Sequence, residues 1–163
     1  MLGLVGGKRW IGVHSESPTY SGILLEPNMS LLQWNESYSV HVTSFDQQHQ
    51  TLFRSINELH EALRAGHGKD VVGKLLQRLI DYTASHFAAE EPVLERNGYP
   101  ELATHRAAHK ALVNQVLKFQ KDFEAGSAGI AVELMQFLQK WLSEHIRNTD
   151  KKYGAFLNEK GIR

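Results

Sequence analysis

His86-Phe87-Ala88-Ala89-Glu90 is the stretch that decides how this chain reads. It sits inside a run of apolar residues at helical spacing: Val71, Leu75, Leu76, Leu79, Ile80, Phe87 and Leu94. Residues four apart on a helix differ by about 40° around the axis and roughly 6 Å along it, so His86 and Glu90 point the same way. They are placed to act as two donors to one ion. His105 and His109 repeat that spacing in the next helical pattern and again offer two metal-competent groups on one face. Taken singly, either pair is a polar helix face that happens to carry a histidine. The question is whether other segments answer them.

Two more do. Before the second pattern, Phe45, Leu52, Phe53, Ile56, Leu59 and Leu63 recur at helical spacing up to Gly66-His67-Gly68 and carry His49. Ser44 followed by Gln47 reads as a capping box at the start of this helix. The second helix opens near Asp70 and ends at Asn97-Gly98-Tyr99-Pro100, with Pro92 inside it, where the lost hydrogen bond to Ala88 favours a bend. A third runs from about Leu102 to Ala125, with Leu112, Val116, Phe119 and Phe123 as its apolar stripe, and Gly126 stops it. The fourth, from about Ile130 to Arg147, bears His145, and Asp150 follows five residues later. Lys151 to Leu157 either extends this helix or forms a short one with Tyr153 and Phe156 turned inward. Short connections force neighbouring helices antiparallel, so the expected fold is all-α, an up-down-up-down four-helix bundle.

The segments before the bundle are different. Residues 1–33 have no helical period and are punctuated by Gly3, Gly6, Gly7, Gly12, Pro18, Gly22 and Pro27, so they read as an irregular N-terminal extension. The bundle domain is expected over 34–163. Within it, Trp34 to Thr43 reads as an extended lead-in that lays alternate side chains on the core.

Composition narrows the chemistry. The 163 residues are 42% hydrophobic and 22% charged, which suits one domain with a real core. Net charge is zero with no dense Lys/Arg block, which leaves no electrostatic footprint for nucleic acid. Cysteine is absent, so thiolate zinc sites, iron–sulfur clusters and disulfides are excluded, and any metal is held by His and carboxylate. No apolar run approaches the roughly 20 residues of a membrane span, and Met1 to Gly7 lacks the order of a secretory signal. The expected setting is the cytoplasm.

Rise per residue then compares heights. At 1.5 Å per residue, His49 lies about 16 residues before the first turn and His86 about 17 after it, while His109 and His145 lie about 16 on either side of the loop at Gly126 to Gly129. Four helices thus place a histidine at one level, and Glu90 and His105 meet at the same end through the short loop at Gly98.

These residues carry a resemblance. Asp46-Gln47-Gln48-His49, His86-Phe87-Ala88-Ala89-Glu90-Glu91, Tyr99-Pro100, His105-x-x-x-His109 and Trp141-Leu142-Ser143-Glu144-His145-Ile146 with Asp150 resemble the hemerythrin family in its bacterial single-domain form, from Trp34 to Tyr153. The resemblance implies two irons with an oxo or hydroxo bridge. His105, His109 and His145 would bind one, His49 and His86 the other, and Glu90 and Asp150 would bridge them. That set is one donor short of the roughly 12 that two octahedral ions take, and the open position falls on the iron holding His49 and His86. The implied function is reversible binding of O2, as a carrier, store or delivery protein rather than an enzyme. An O2-consuming protein partner is not identifiable from sequence.

Five imidazoles also contrast with the Glu-rich, Glu-x-x-His sets of ferritin-like di-iron oxidases, which favours binding over oxidation. The other uses of such a bundle are an O2- or redox-sensing module, or iron handling in stress response; a sensor needs an output domain, and none is expected here. Leu52, Phe87, Trp141, Leu142 and Ile146 flank the ligand positions and are the expected walls of an apolar O2 pocket. His14, His41, His60 and His67 have no partner at ligand spacing and are expected to be surface or loop residues.

Overall fold

In the computed structural model, which describes residues 30–163 except 68 and 128, each apolar stripe of the sequence becomes the inner face of a helix. α1 spans Thr43–Arg64, α2 Lys69–Arg96, α3 Leu102–Glu124 and α4 Ile130–His145. A π-helical turn, Ile146–Asp150, continues α4 without a break into α5, Lys151–Glu159. α1 and α3 each pack against both α2 and α4, which closes the four-membered bundle. Among the described residues there is no strand, and no helix is long and apolar enough to cross a membrane. Ile56, Leu76, Leu94, Leu134 and Ile146 are among the fully buried side chains that fill its axis.

Helix ends follow local chemistry. α2 is closed off by Gly98, two residues past its end, whose φ of 70° lets the Tyr99 N–H turn back to the Leu94 carbonyl at 3.0 Å. Pro92 does not terminate α2, which runs on to Arg96.

The start of α1 differs from the capping box expected at Ser44 and Gln47. Val42 is the N-cap and no side chain caps the helix. Asp46 instead reaches back to the lead-in, its carboxylate accepting from the Val40 N–H at 2.8 Å and the Ser39 hydroxyl at 2.6 Å. A carboxylate with two donors outside the helix competes better than a hydroxyl with one donor inside it. This brace also breaks strict alternation in the lead-in. Tyr38, Ser39 and Val40 are buried in succession, and His41 is turned outward with a φ of 55°. Few residues other than glycine take that left-handed conformation; here it is supported by the His41 N–H donating to Ser39 Oγ at 3.1 Å.

The reading of residues 1–29 as irregular lies outside the described residues. Leu32, just beyond them, is docked rather than loose: its N–H and C=O both pair with the Asn57 side chain of α1 at 2.9 Å.

Candidate metal centre

All seven candidate ligands come together inside the bundle, and each is buried: His49, Glu90 and Asp150 are 0% exposed and His145, the most exposed, is 6%. The rings form two groups. His105, His109 and His145 make a triangle with centroids 4.3, 5.4 and 5.3 Å apart, and His49 and His86 stand 5.0 Å apart. The two carboxylates lie between the groups with one oxygen toward each. Glu90 Oε1 is 2.6 Å from His105 Nε2 and its Oε2 is 3.0 Å from His86 Nε2. Asp150 Oδ1 is 3.0 Å from His145 Nε2 and its Oδ2 is 3.3 Å from His49 Nε2. That is the geometry of two cation sites sharing two bridging carboxylates.

The π-helical turn is what makes Asp150 available. In an ideal α-helix, residues five apart diverge by about 140°, which would turn Asp150 away from His145. The wider turn over Ile146–Asp150 brings both onto one face, the kind of single-turn π insertion found at functional positions.

Short as these N···O approaches are, they are not hydrogen bonds. Both oxygens of Glu90 and of Asp150, both ring nitrogens of His49 and His105, and Nε2 of His109 and of His145 are buried without a hydrogen-bond partner. Except for Nδ1 of His49 and of His105, the donors and acceptors aim at common points between them and not at one another. Leaving a buried polar atom unpaired costs about 1–3 kcal/mol, so ten together would consume the roughly 5–15 kcal/mol by which a domain is stable. Cations at the two points satisfy eight of them, all but Nδ1 of His49 and of His105, which lie on the other side of their rings. Charge agrees. Burial and the facing Asp150 press Glu90 toward its neutral form, but contacts with His105 and His86 bring its carboxyl down to about 2. Asp150 is opposed by complete burial, yet His145 and His49 hold it below the usual carboxylate range. Two buried anions and a set of imidazoles suit a pair of divalent ions.

Residues 40–157 match the model of the "Hemerythrin HHE cation binding domain". The chain belongs to the hemerythrin family. It is 37% identical to a bacteriohemerythrin of Methylococcus capsulatus over 131 residues, covering 80% of this chain and 99% of that protein. It is 36% identical to one from Stenotrophomonas maltophilia, over 80% and 87%, and 28% identical to a myohemerythrin of Theromyzon tessulatum, over 74% and 89%. Among solved structures, wild-type hemerythrin superposes with a TM-score of 0.71 at 36% identity, over 77% of this chain and 96% of that one. Hemerythrins hold a di-iron centre, and the orphaned donor set found here fits it.

Neighbouring side chains fix the candidate ligands in orientation. His86 Nδ1 lies 2.8 Å from Gln48 Oε1 and His109 Nδ1 2.9 Å from Glu91 Oε1; with Nδ1 donating, each ring turns the lone pair of Nε2 inward. Phe87 stacks on the His109 ring at 3.5 Å and Trp141 on the His145 ring at 4.2 Å. Glu91 is itself held by Arg106 Nε at 3.1 Å. Burial pushes His109 down to about 4, with His105 and His145 acting the same way against Glu90 and Glu91, so it is neutral and ready to ligate at neutral pH.

A cavity of about 20 Å³ opens beside this hemerythrin centre. Of the seven candidate ligands it touches His49, His86, His145 and Asp150 but not Glu90, His105 or His109. Its apolar walls include Leu52, Phe87, Trp141 and Leu142, four of the five expected from sequence. Ile146, the fifth, is fully buried but does not line it. Ile56, Leu79, Thr83, Leu112 and Leu138 line it as well and were not anticipated. The signal was present: Leu52 and Ile56 follow His49 by three and seven residues, Leu112 follows His109 by three, Thr83 and Leu79 precede His86 by three and seven, and Leu142 and Leu138 precede His145 likewise. All run from the ligands toward one end of the bundle. Of the four histidines set aside, His41 and His67 are exposed and His60 is half-buried, with Nδ1 3.4 Å from Glu61; His14 lies outside the described residues.

Proposed function

We propose that this chain binds O2 reversibly at a di-iron centre in which His105, His109 and His145 hold one iron, His49 and His86 hold the other, and Glu90 and Asp150 bridge them, with residues 34–163 as the binding domain. The observation that carries this reading is the one-sided cavity, which meets both histidines of the two-histidine group but only one of the three-histidine group. An open coordination position belongs on the ion with fewer protein donors, and that is where the chain leaves space.

When bound, the irons supply the electrons and the coordination position that O2 needs. The protein's part is to orient and to exclude. Gln48 and Glu91 set the His86 and His109 rings, and Leu52, Phe87, Leu112, Leu138 and Leu142 keep water out of the cavity. A space of about 20 Å³ admits a small inorganic guest and no organic co-substrate. Binding rather than turnover is therefore the assignment, as a carrier, store or delivery protein working in the cytoplasm.

The test is iron content followed by an optical cycle. Two irons per chain are expected, with a visible band that appears when O2 is added to the reduced protein and disappears when O2 is removed, over repeated cycles. One iron per chain, or oxidation on first exposure to O2 with no recoverable band, overturns the reading.

A further inference from the structure

One wall of the cavity is out of keeping with the rest. Thr83 is 8% exposed, sits one turn before His86 on α2 and lines the same space as His49 and His86. Its hydroxyl makes no hydrogen bond with any described residue, not even back to its own helix, as Ser85 does to Tyr82 on α2 and Ser55 to Thr51 on α1. Valine has the same shape without a hydroxyl left unpaired, so packing alone does not call for threonine here.

We propose that Thr83 is a ligand-selecting residue of this cavity, its hydroxyl being the hydrogen-bond donor that lets the site hold small anions with an acceptor at their outer end. The proposal rests on the di-iron reading given above. The alternative guest, a free water, needs two to four polar partners. Apart from the ligand atoms, which aim at the metal points, the lining side chains that carry a polar atom are Thr83 and Trp141, and the Trp141 indole is stacked on the His145 ring; the remaining walls are carbon. A guest anchored at the ion by one end needs only one further polar contact at the other, and a cavity of about 20 Å³ keeps such a guest close to every wall. Linear acceptor-ended anions meet that description.

Azide titrated into the diferric protein is the probe. For Thr83→Val, azide should bind about tenfold more weakly or worse, the loss expected for a hydrogen bond to a charged group. Thr83→Ser, which keeps the hydroxyl, should stay within a few-fold of the parent. Iron content should match the parent in both, and metal-free Thr83→Val should melt no lower than the metal-free parent. Equal azide affinity in the parent and Thr83→Val overturns the proposal and leaves the di-iron reading intact. Lost iron or a lowered melting temperature in Thr83→Val overturns it in favour of a structural role. A parent that binds two irons but no azide overturns it as well, whereas a parent without two irons removes the di-iron reading and the proposal together.

Discussion

A ligand histidine is useful only if its ring is held by the nitrogen that does not face the metal. Gln48 does this for His86 and Glu91 for His109, and the two differ in charge: a neutral amide supports the two-histidine group and a carboxylate the three-histidine group. Glu91→Ala and Gln48→Ala should each weaken iron retention by about 10- to 100-fold, the range for loss of such supporting bonds, measured as the rate of iron transfer to a competing chelator. Glu91→Gln, which keeps an acceptor, should recover most of the loss. His60→Ala is the control, since His60 lies outside the centre; if it lost iron as fast as the others, the sorting of the histidines would be wrong. The ligand candidates themselves were legible in the sequence because a metal pair on one helix leaves a four-residue spacing. The residue that orients His86 was not, because Gln48 lies 38 positions away on another helix, and nothing local records that pairing.

Helices were legible for the same reason. A stripe that repeats at helical spacing has one way to be buried, so the four elements fall within a few residues of their expected bounds. What periodicity does not carry is a departure from it. The five-residue step from His145 to Asp150 pointed to a local loosening, and the π-helical turn supplies it, but the continuation into α5 depends on tertiary packing. There Tyr153 and Leu157 are fully buried, and Gly154 passes so close to the lead-in that an added Cβ would lie 2.6 Å from the Val40 carbonyl oxygen. That neighbour is backbone, braced by Asp46, and has little room to yield. Gly154→Ala should therefore destabilise the fold by about 1–3 kcal/mol or more, read as a lower urea midpoint. It should also speed iron loss, because α5 anchors the turn that presents Asp150. An unchanged midpoint would mean that the lead-in moves freely on α5.

At the scale of the whole molecule, the candidate centre is the place where all four bundle helices and the π-helical turn meet, so metal held there would make binding and folding one equilibrium. Acid should uncouple them in a particular order. Glu90, at about 2, stays ionised far below neutrality, so carboxylate protonation does not begin the release. The histidines do, because each must be neutral to ligate. His109 gives the acid-destabilising contribution in the metal-free chain, while His105, pressed down by its burial but held up by Glu90 and Asp150, works the other way. For His109 the folded value of about 4 lies below the ordinary 6.5, so between those limits the unfolded chain takes up a proton that the folded chain refuses. The stability it contributes is complete above pH 6.5 and is lost as pH falls toward 4. Bound iron extends that protection, since a ligated imidazole resists protonation further. The expected outcome is two acid transitions followed by circular dichroism: metal-free protein losing helix as pH falls from 6.5 toward 4, and iron-loaded protein holding its helix to a lower pH and then losing iron and helix together. Coincident transitions for the two forms would show that the metal does not tie the bundle, and helix loss well before iron release would place the ions outside the four-helix core.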